Sequence, residues 1–398
     1  MIYLDFNATA SPDEEVLKHA LEVYLRNFGN SSGLSFFSQK SFQLVEQCRE
    51  RISQLLGLSA KQVIFTSSAT EANHIFITTL WLKALKEGRV FRPLLSQLEH
   101  PSIVELVLKL PHTEILWYGL SNRGELKLDG LEEKIERADA AFMMAAHNES
   151  GMLLPLESFF ELVQEKRRDS LPLLCDASQV LRHIHPHSPI KSDFFSQKPE
   201  LPLFFSLASH KIGAGMGCGL LLRPRGTWGD FFEENTLFVG GNQEYKIRSG
   251  THNLMAIYAM TLKLEKLIKN MEDYEELRKL TQSFEEKIER SLKPLLDIEI
   301  IGKESERLAG TSLVLFRNLD IDFFLMALDQ EGVVVSTGTS CKSRSRTASP
   351  GLLSMGYTEE EALSVIRFSF DTSFNEELQQ QVVGKMEKII QELVVHSI

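Results

Sequence analysis

Short apolar runs, each ending in a cluster of small and polar residues, constrain this chain more than any other feature. Val63–Thr66 leads into Ser67-Ser68-Ala69-Thr70, and residues 142–146 lead into His147-Asn148-Glu149-Ser150-Gly151. Residues 171–175 end at Asp176-Ala177-Ser178-Gln179, and residues 203–207 end at Ala208-Ser209-His210-Lys211. Stretches with helical spacing lie among them, at Glu14–Arg26, at 41–56 and from Thr70 onward. Short apolar strands alternating with helices predict an α/β domain with a mostly parallel central sheet. In open sheets of that kind, ligands bind beyond the carboxyl ends of the strands, so the polar clusters are expected to converge on one site.

From about residue 256 the pattern changes. A long charged helical stretch over 256–292 precedes short strands at Ile298–Ile301 and Thr311–Phe316, and a helix near 323–331 follows. A strand at 333–336 and a terminal helix from about Glu376 complete the chain. This predicts a smaller α+β C-terminal domain joined to the first by the long helix. A length of 398 residues suits two domains, at roughly 100–200 residues each. The net charge of −11 argues against broad affinity for nucleic acid or anionic membranes. No apolar run approaches the roughly 20 residues of a spanning helix. The N-terminal MIYLDFNATASPDEEV has neither a basic region nor a long apolar run, so a cytoplasmic protein is expected.

The four cysteines, Cys48, Cys175, Cys218 and Cys341, form no Cys-x-x-Cys pair, and free thiols are expected. Three of them fall in helical, apolar or Gly-rich surroundings and read as small buried hydrophobes. Cys341 lies in STGTSCKSRSRTASPG, beside Lys342, Arg344 and Arg346. Neighbouring cations lower a thiol pKa, so Cys341 is either a reactive thiol or an ordinary loop cysteine.

The polar clusters carry further candidates, each with a plainer alternative. Residues 67–72 either cradle an anion at a helix N-terminus or form an ordinary cap. Asp176, closing an apolar strand, needs a cationic partner, which a ligand, an ion pair or a cap could supply. Lys211 precedes a Gly-rich turn at 213–219. It is either a desolvated amine suited to attack on a carbonyl or a solvent-facing loop lysine. The tract His183-Ile184-His185-Pro186-His187 resembles a metal-binding run. With no cysteine or acidic set beside it, a surface loop is the preferred reading and no metal is expected.

Taken in order, the motifs carry a resemblance that no single residue does. They run YLDFNAT (3–9), GNSS (29–32), FTSSATEAN (65–73), EHPSI (99–103), HNESG (147–151) and DASQ (176–179). They continue with ASHK (208–211), GGNQEYKIRSGTHN (240–253), STGTSC (336–341) and IRFSF (366–370). In that ordered set, nearly end to end, the chain resembles the cysteine desulfurases, the NifS/IscS-like group of class V aminotransferases. The resemblance implies the PLP fold type I, with a large cofactor domain over 13–256. A small domain, from 1–12 and 257–398, would carry the Cys341 loop.

The same resemblance implies pyridoxal 5'-phosphate held on Lys211 and stacked against His100, which would move protons in the family's chemistry. Asp176 would pair with the pyridinium nitrogen, with Asn148 and Gln179 flanking the ring. Ala69, Thr70 and His210 would hold the phosphate, and Thr251 would reach it from the second subunit of a homodimer. Arg367 would clamp the substrate carboxylate in a pocket that Asn7 helps to line. The implied reaction converts L-cysteine to L-alanine and leaves the sulfur as a persulfide on Cys341. An acceptor protein would then take it into iron–sulfur cluster or other thio-cofactor synthesis.

The rival readings are a selenocysteine lyase or another class V enzyme, and a non-catalytic homologue serving as a binding scaffold. Departures from the family pattern motivate the scaffold. Ala208-Ser209 stands where Ser-Gly is usual, so a phosphate-binding hydroxyl is missing and Ser209 is expected to replace part of it. Ser68 stands where glycine is usual, at a cost if that position needs a positive φ or a close approach of the ligand.

Overall fold

Side-chain caps set several helix starts locally. Asp13, Ser35, Ser68, His100 and Asp320 each accept a backbone N–H in the first turn of a helix. The computed structural model describes residues 1–167, 171–184, 188, 190, 193–196, 201–226, 228–269, 273–337 and 347–396. Its elements begin with β1 (Ile2–Tyr3), α1 (Glu14–Arg26), α2 (Phe36–Leu55), β2 (Val63–Thr66), α3 (Ala69–Lys86) and β3 (Pro93–Ser96). Next come α4 (Pro101–Lys109), β4 (Leu116–Tyr118), α5 (Leu131–Arg137), β5 (Ala140–Phe142), α6 (Leu156–Lys166) and β6 (Leu173–Asp176). Then follow β7 (Leu203–Ala208), β8 (Gly219–Leu222), α7 (Trp228–Asn235), α8 (Leu254–Lys269) and α9 (Asp273–Leu292). The chain ends with β9 (Ile298–Ile301), β10 (Thr311–Phe316), α10 (Ile321–Gln330), β11 (Val333–Val334), α11 (Pro350–Met355), α12 (Glu359–Leu363), β12 (Val365–Ser369) and α13 (Glu376–His396).

The central sheet has the strand order β2-β8-β7-β6-β5-β3-β4. Strands β3 to β7 pair in parallel, and β8 runs antiparallel between β7 and β2. This is the mixed α/β, mostly parallel arrangement that the alternating sequence predicts. Successive residues alternate between two apolar layers. Val63, Phe65, Leu173 and Cys175 pack with Ile52 of α2, Phe159 of α6 and Met260 of α8. Ile64 and Leu174 pack with Phe76 of α3, Ile103 of α4 and Phe232 of α7. A sheet covered on both faces explains why its strands read as continuous apolar runs.

The rest of the chain builds around a second sheet, in which β10 lies antiparallel between β12 and β9. Phe284, Phe316, Phe324, Phe368 and Phe370 fill its core. The N-terminus returns to this part of the chain. Strand β1 pairs in parallel with β11, and isolated bridges join Asp5 to Ser369 and Ser336 to Arg367.

Three local expectations need correction. The helical stretch over 256–292 is two helices, with α8 packed on α1 and α2 and α9 packed on α13. Strand β5 ends at Phe142; Met143 and Ala145 still donate to the Leu174 and Asp176 carbonyls of β6, and the chain then turns back, with Ala146 bridging Leu153 and Leu154 N–H donating to Ala145. His183 is buried, not on a surface loop. Its Nε2 accepts from Arg182 Nε at 3.0 Å, and burial, then Arg182, holds its pKa well below the usual range. His185 and His187 lie outside the described residues. Among the described residues no group of His, Cys, Asp and Glu could hold a metal ion, and no helix is long and apolar enough to cross a membrane.

Candidate active site

The carboxyl ends of β2, β3, β5, β6 and β7 open onto one cavity of about 360 Å³. It is bordered by Ala69 and Thr70 after β2, His100 after β3, Asn148 after β5, and Asp176 and Gln179 at and after β6. His210 and Lys211 follow β7, while Asn7 and Arg367 enter from the N- and C-terminal parts of the chain. Residues more than three hundred positions apart therefore face one space, as the strand-end clusters predict.

Lys211 sits in a short turn that closes at Gly213, whose φ is +78°. A Cβ there would lie 2.5 Å from the Ser11 carbonyl oxygen, so glycine is required by both backbone and space. The close approach brings Lys211 against the N-terminal segment. Its Nζ donates to the carbonyl oxygens of Asn7, at 2.5 Å, and Ala8, at 3.2 Å. Burial, followed by the Arg367 cation, holds the amine down at about 8. Desolvation thus acts on this lysine in the direction a nucleophilic amine requires.

Around the amine, Asp176 is largely buried and its Oδ1 accepts from Ser178 N–H at 3.0 Å. Ser178 Oγ is buried with no partner. Asn7 organises the adjoining wall: its Nδ2 reaches Thr311 Oγ1 at 3.1 Å, and Gln179 Nε2 donates to its carbonyl at 3.1 Å. Its peptide N–H donates to Ser369 Oγ at 2.9 Å.

Ser68 has φ −168° and ψ 167°, an extended conformation open to any residue. No backbone cost therefore attaches to a serine in place of glycine here. Its hydroxyl accepts from Glu71 N–H and so caps α3, leaving the helix N-terminus with its free N–H groups beside the cavity. Gly219 seals the other side of this turn, since a Cβ there would lie 2.4 Å from the Ser68 carbonyl carbon. His210 places Nδ1 3.2 Å from Thr9 Oγ1, and burial and the Lys211 charge lower its pKa to about 4. Ser209 does not replace the missing phosphate-side hydroxyl. It is fully buried and donates to the Gly215 carbonyl at 2.7 Å.

Arg367 is placed at the cavity but is already engaged. Its Nη2 meets Asp5 Oδ1 at 2.6 Å, its Nη1 donates to the Asn148 carbonyl at 2.9 Å, and its Nε is buried without a partner. Asp5 belongs to the YLDFNAT motif, and a carboxylate among apolar neighbours was the available signal for it. Glu99 is another residue with no role assigned from sequence. It is sealed behind the site, and burial, then the Asp176 charge among its neighbours, raises it to about 8. Thr251 is exposed and does not border this cavity. Cys341, Lys342, Arg344 and Arg346 lie outside the described residues. Cys48, Cys175 and Cys218 are free and buried, and burial pushes all three thiols up, Cys48 to about 11.

The mostly parallel sheet thus presents one desolvated lysine, a buried carboxylate and a helix N-terminus to a single cavity. The sequence profile of the aminotransferase class-V family matches residues 2–380, and the chain belongs to that family. Among its relatives it is 28% identical to the cysteine desulfurase IscS of Dictyoglomus turgidum, over 98% of this chain and 95% of that one. It is 26% identical to a cysteine desulfurase of Trichormus azollae, over 99% and 94%. The NifS-like protein of Rickettsia africae superposes with a TM-score of 0.81 at 25% identity, over 98% of this chain and 99% of that one.

Enzymes of this family use pyridoxal phosphate, and the donor set fits that group. Lys211 offers an amine, Asp176 a carboxylate for a ring nitrogen, and the start of α3 a row of N–H groups for a phosphate. The unpartnered Ser178 Oγ marks further polar capacity in the same wall.

Proposed function

We propose that this protein is a pyridoxal-phosphate-dependent cysteine desulfurase. It would convert L-cysteine to L-alanine and hold the sulfur as a persulfide on Cys341, for delivery to an acceptor protein in iron–sulfur cluster or other thio-cofactor synthesis. The observation that carries this reading is the convergence of Lys211, Asp176, His100 and Arg367 on one cavity. The names of the full-length relatives support it.

Bound here, pyridoxal phosphate would supply an electron sink that weakens the bonds around an amino acid's α- and β-carbons. Lys211 would hold it covalently and then act on the substrate's α-proton; a lysine held near 8 is partly neutral at physiological pH. Asp176 would hold the ring nitrogen, and Ala69, Thr70 and His210 the phosphate. His100 would lie against the ring, which Asn148 and Gln179 would flank. Arg367, kept in place by Asp5, would orient the substrate carboxylate beside Asn7. In the net step the substrate's Cβ–S bond breaks and an S–S bond forms with the Cys341 sulfur. The substrate carbon takes a proton, so cysteine and thiol give alanine and persulfide.

A homodimer is part of this proposal. Leu25, Phe28, Leu34 and Phe36 on and between α1 and α2 are exposed large apolar residues, and Val239 near Thr251 is 80% exposed. Thr251 would complete the phosphate site of the second subunit. We also propose the division into domains at 13–256 and at 1–12 with 257–398.

The experiment is a visible spectrum and an alanine assay on the wild type, Lys211→Ala and Cys341→Ala. The expected result is cofactor absorbance in the wild type and in Cys341→Ala, and alanine release from L-cysteine in the wild type alone. Pyruvate or glutamate-dependent amino transfer in place of alanine would overturn the reading, as would a wild type that takes up no cofactor. A fully loaded monomer in sedimentation would overturn the dimer.

A further inference from the structure

His100 is both a wall of the cavity and the cap of a helix. It precedes Pro101 at the start of α4, and its Nδ1 accepts the Ser102 backbone N–H at 3.1 Å. A backbone amide can only donate, so Nδ1 carries no proton of its own. A second contact points the same way. Ser102 Oγ lies 2.8 Å from Nδ1 and 2.9 Å from Asn73 Nδ2. With the Asn73 amide donating to it, the hydroxyl is left to give its own hydrogen to Nδ1. Asn73 is itself fully buried on α3, the helix whose N-terminus lies at the same cavity.

We propose that this cap fixes His100 as the neutral tautomer with its hydrogen on Nε2, and that Ser102 and Asn73 are its positioning residues. His100 then meets the reacting groups as a hydrogen-bond and proton donor, and the base must be supplied elsewhere. The consequence rests on the cysteine desulfurase reading; the tautomer does not.

The surroundings favour the uncharged ring. Burial is the main influence on His100, Asp176 at the end of β6 opposes it, and Lys211 after β7 reinforces it. His210 is the other titratable neighbour, lowered first by burial and then by the Lys211 charge. Charging the ring would put a hydrogen on Nδ1, against the Ser102 N–H and the positive end of α4. Asn73 Oδ1 is buried without a partner, so the amide is oriented at the expense of one unpaired oxygen.

The test is NMR of the full-length protein labelled with 13C,15N-histidine, with and without pyridoxal phosphate, using His100→Gln to assign the ring. The expected spectrum has an unprotonated Nδ1 and a protonated Nε2 at neutral pH, with titration displaced below the ordinary histidine value of about 6.5. A hydrogen on Nδ1, or an ordinary titration near pH 6.5 in the cofactor-free protein, would overturn the proposal even if the enzyme is fully active. Ser102→Ala keeps the backbone donor and loses the hydroxyl. It is expected to retain the tautomer, move the titration upward, and lower kcat roughly tenfold with KM little changed, with Ser102→Thr restoring both. A titration in Ser102→Ala identical to that of the wild type would remove Ser102 from the network. A wild type with the expected tautomer but no alanine release would overturn the function proposed above and leave the tautomer standing.

Discussion

Asp5 Oδ1 lies 2.6 Å from Arg367 Nη2, joining the fifth residue of the chain to the last strand of the second sheet. Arg367 is almost fully buried, and Asp5 is the carboxylate paired with its charge there. Asp5→Asn is expected to cost about 3 kcal/mol in urea denaturation of the cofactor-free protein. A loss within error of zero would show that Asn148 and water suffice for this cation.

Removing the fork itself should act on substrate binding. Arg367→Lys cannot reproduce a planar two-pronged contact, and KM for L-cysteine is expected to rise about 10- to 100-fold. Steady-state kinetics with the cofactor saturating decides this. An unchanged KM would mean that the carboxylate is held by another group.

Lys211 makes a pH-dependent contribution of known sign. Its folded value is about 8, against about 10.4 in an unfolded chain. Between those values the unfolded chain binds the extra proton, so stability rises with pH across that window. Below about 8 the penalty of about 3 kcal/mol is fully present. Cofactor-free wild type and Lys211→Met should therefore converge in stability as pH is raised from about 8 to about 10.4. Parallel curves would mean that the amine is well solvated.

Glu244 is expected to behave in the opposite sense. Burial alone would raise its carboxyl, but the paired hydrogen bonds from Arg49 and the bond from His252 outweigh it and bring it to about 2. Arg49 meets both its oxygens, at 2.7 and 2.6 Å, and Phe65 N–H adds a third donor at 2.6 Å. The stabilisation is complete above the ordinary glutamate value of about 4.3 and is lost as pH falls through about 2. Glu244→Gln should cost about 3–5 kcal/mol at neutral pH, with the gap closing in acid. Thermal melts at both extremes would show it, and a constant gap would contradict it.

Two glycine substitutions separate the site from the scaffold. Gly219→Ala forces the Ser68 turn aside, and a loss of cofactor affinity of about tenfold or more is expected from a shift worth 1–3 kcal/mol. Gly384 lies within α13 with open space at its Cβ position, so Gly384→Ala should add roughly 0.5–1 kcal/mol and leave cofactor binding unchanged. Cofactor titration of both variants distinguishes the two effects.

Much of the central sheet is legible in the sequence because both its faces are covered, which leaves apolar runs that stop abruptly at polar clusters. Val63–Thr66 and Gly219–Leu222 coincide with strands β2 and β8. Strand β12 is less legible, since Val365–Ser369 is fully buried yet carries Arg367 and Ser369 among its apolar residues. The local sequence cannot reveal that Asp5 neutralises Arg367 and that the Asn7 N–H bonds the Ser369 hydroxyl across the chain. Pairing partners also decide the fate of Ser209 and Ser68. One turns to the Gly215 carbonyl and the other caps α3, and both outcomes depend on backbone direction rather than on residue type. The tautomer of His100 is hidden for the same reason, because it follows from where α4 begins.

The pairing of β1 with β11, and of Asp5 and Asn7 with Ser369, also bears on how the protein is made. A ribosome releases Asn7 more than three hundred residues before Ser369, its partner on β12. The central sheet can collapse while translation continues, yet the wall that contacts Lys211 stays open until the C-terminal strands are available. A nascent chain cannot therefore complete this wall early, and any truncated product ending before residue 369 lacks the Ser369 contact that helps hold Asn7 against Lys211.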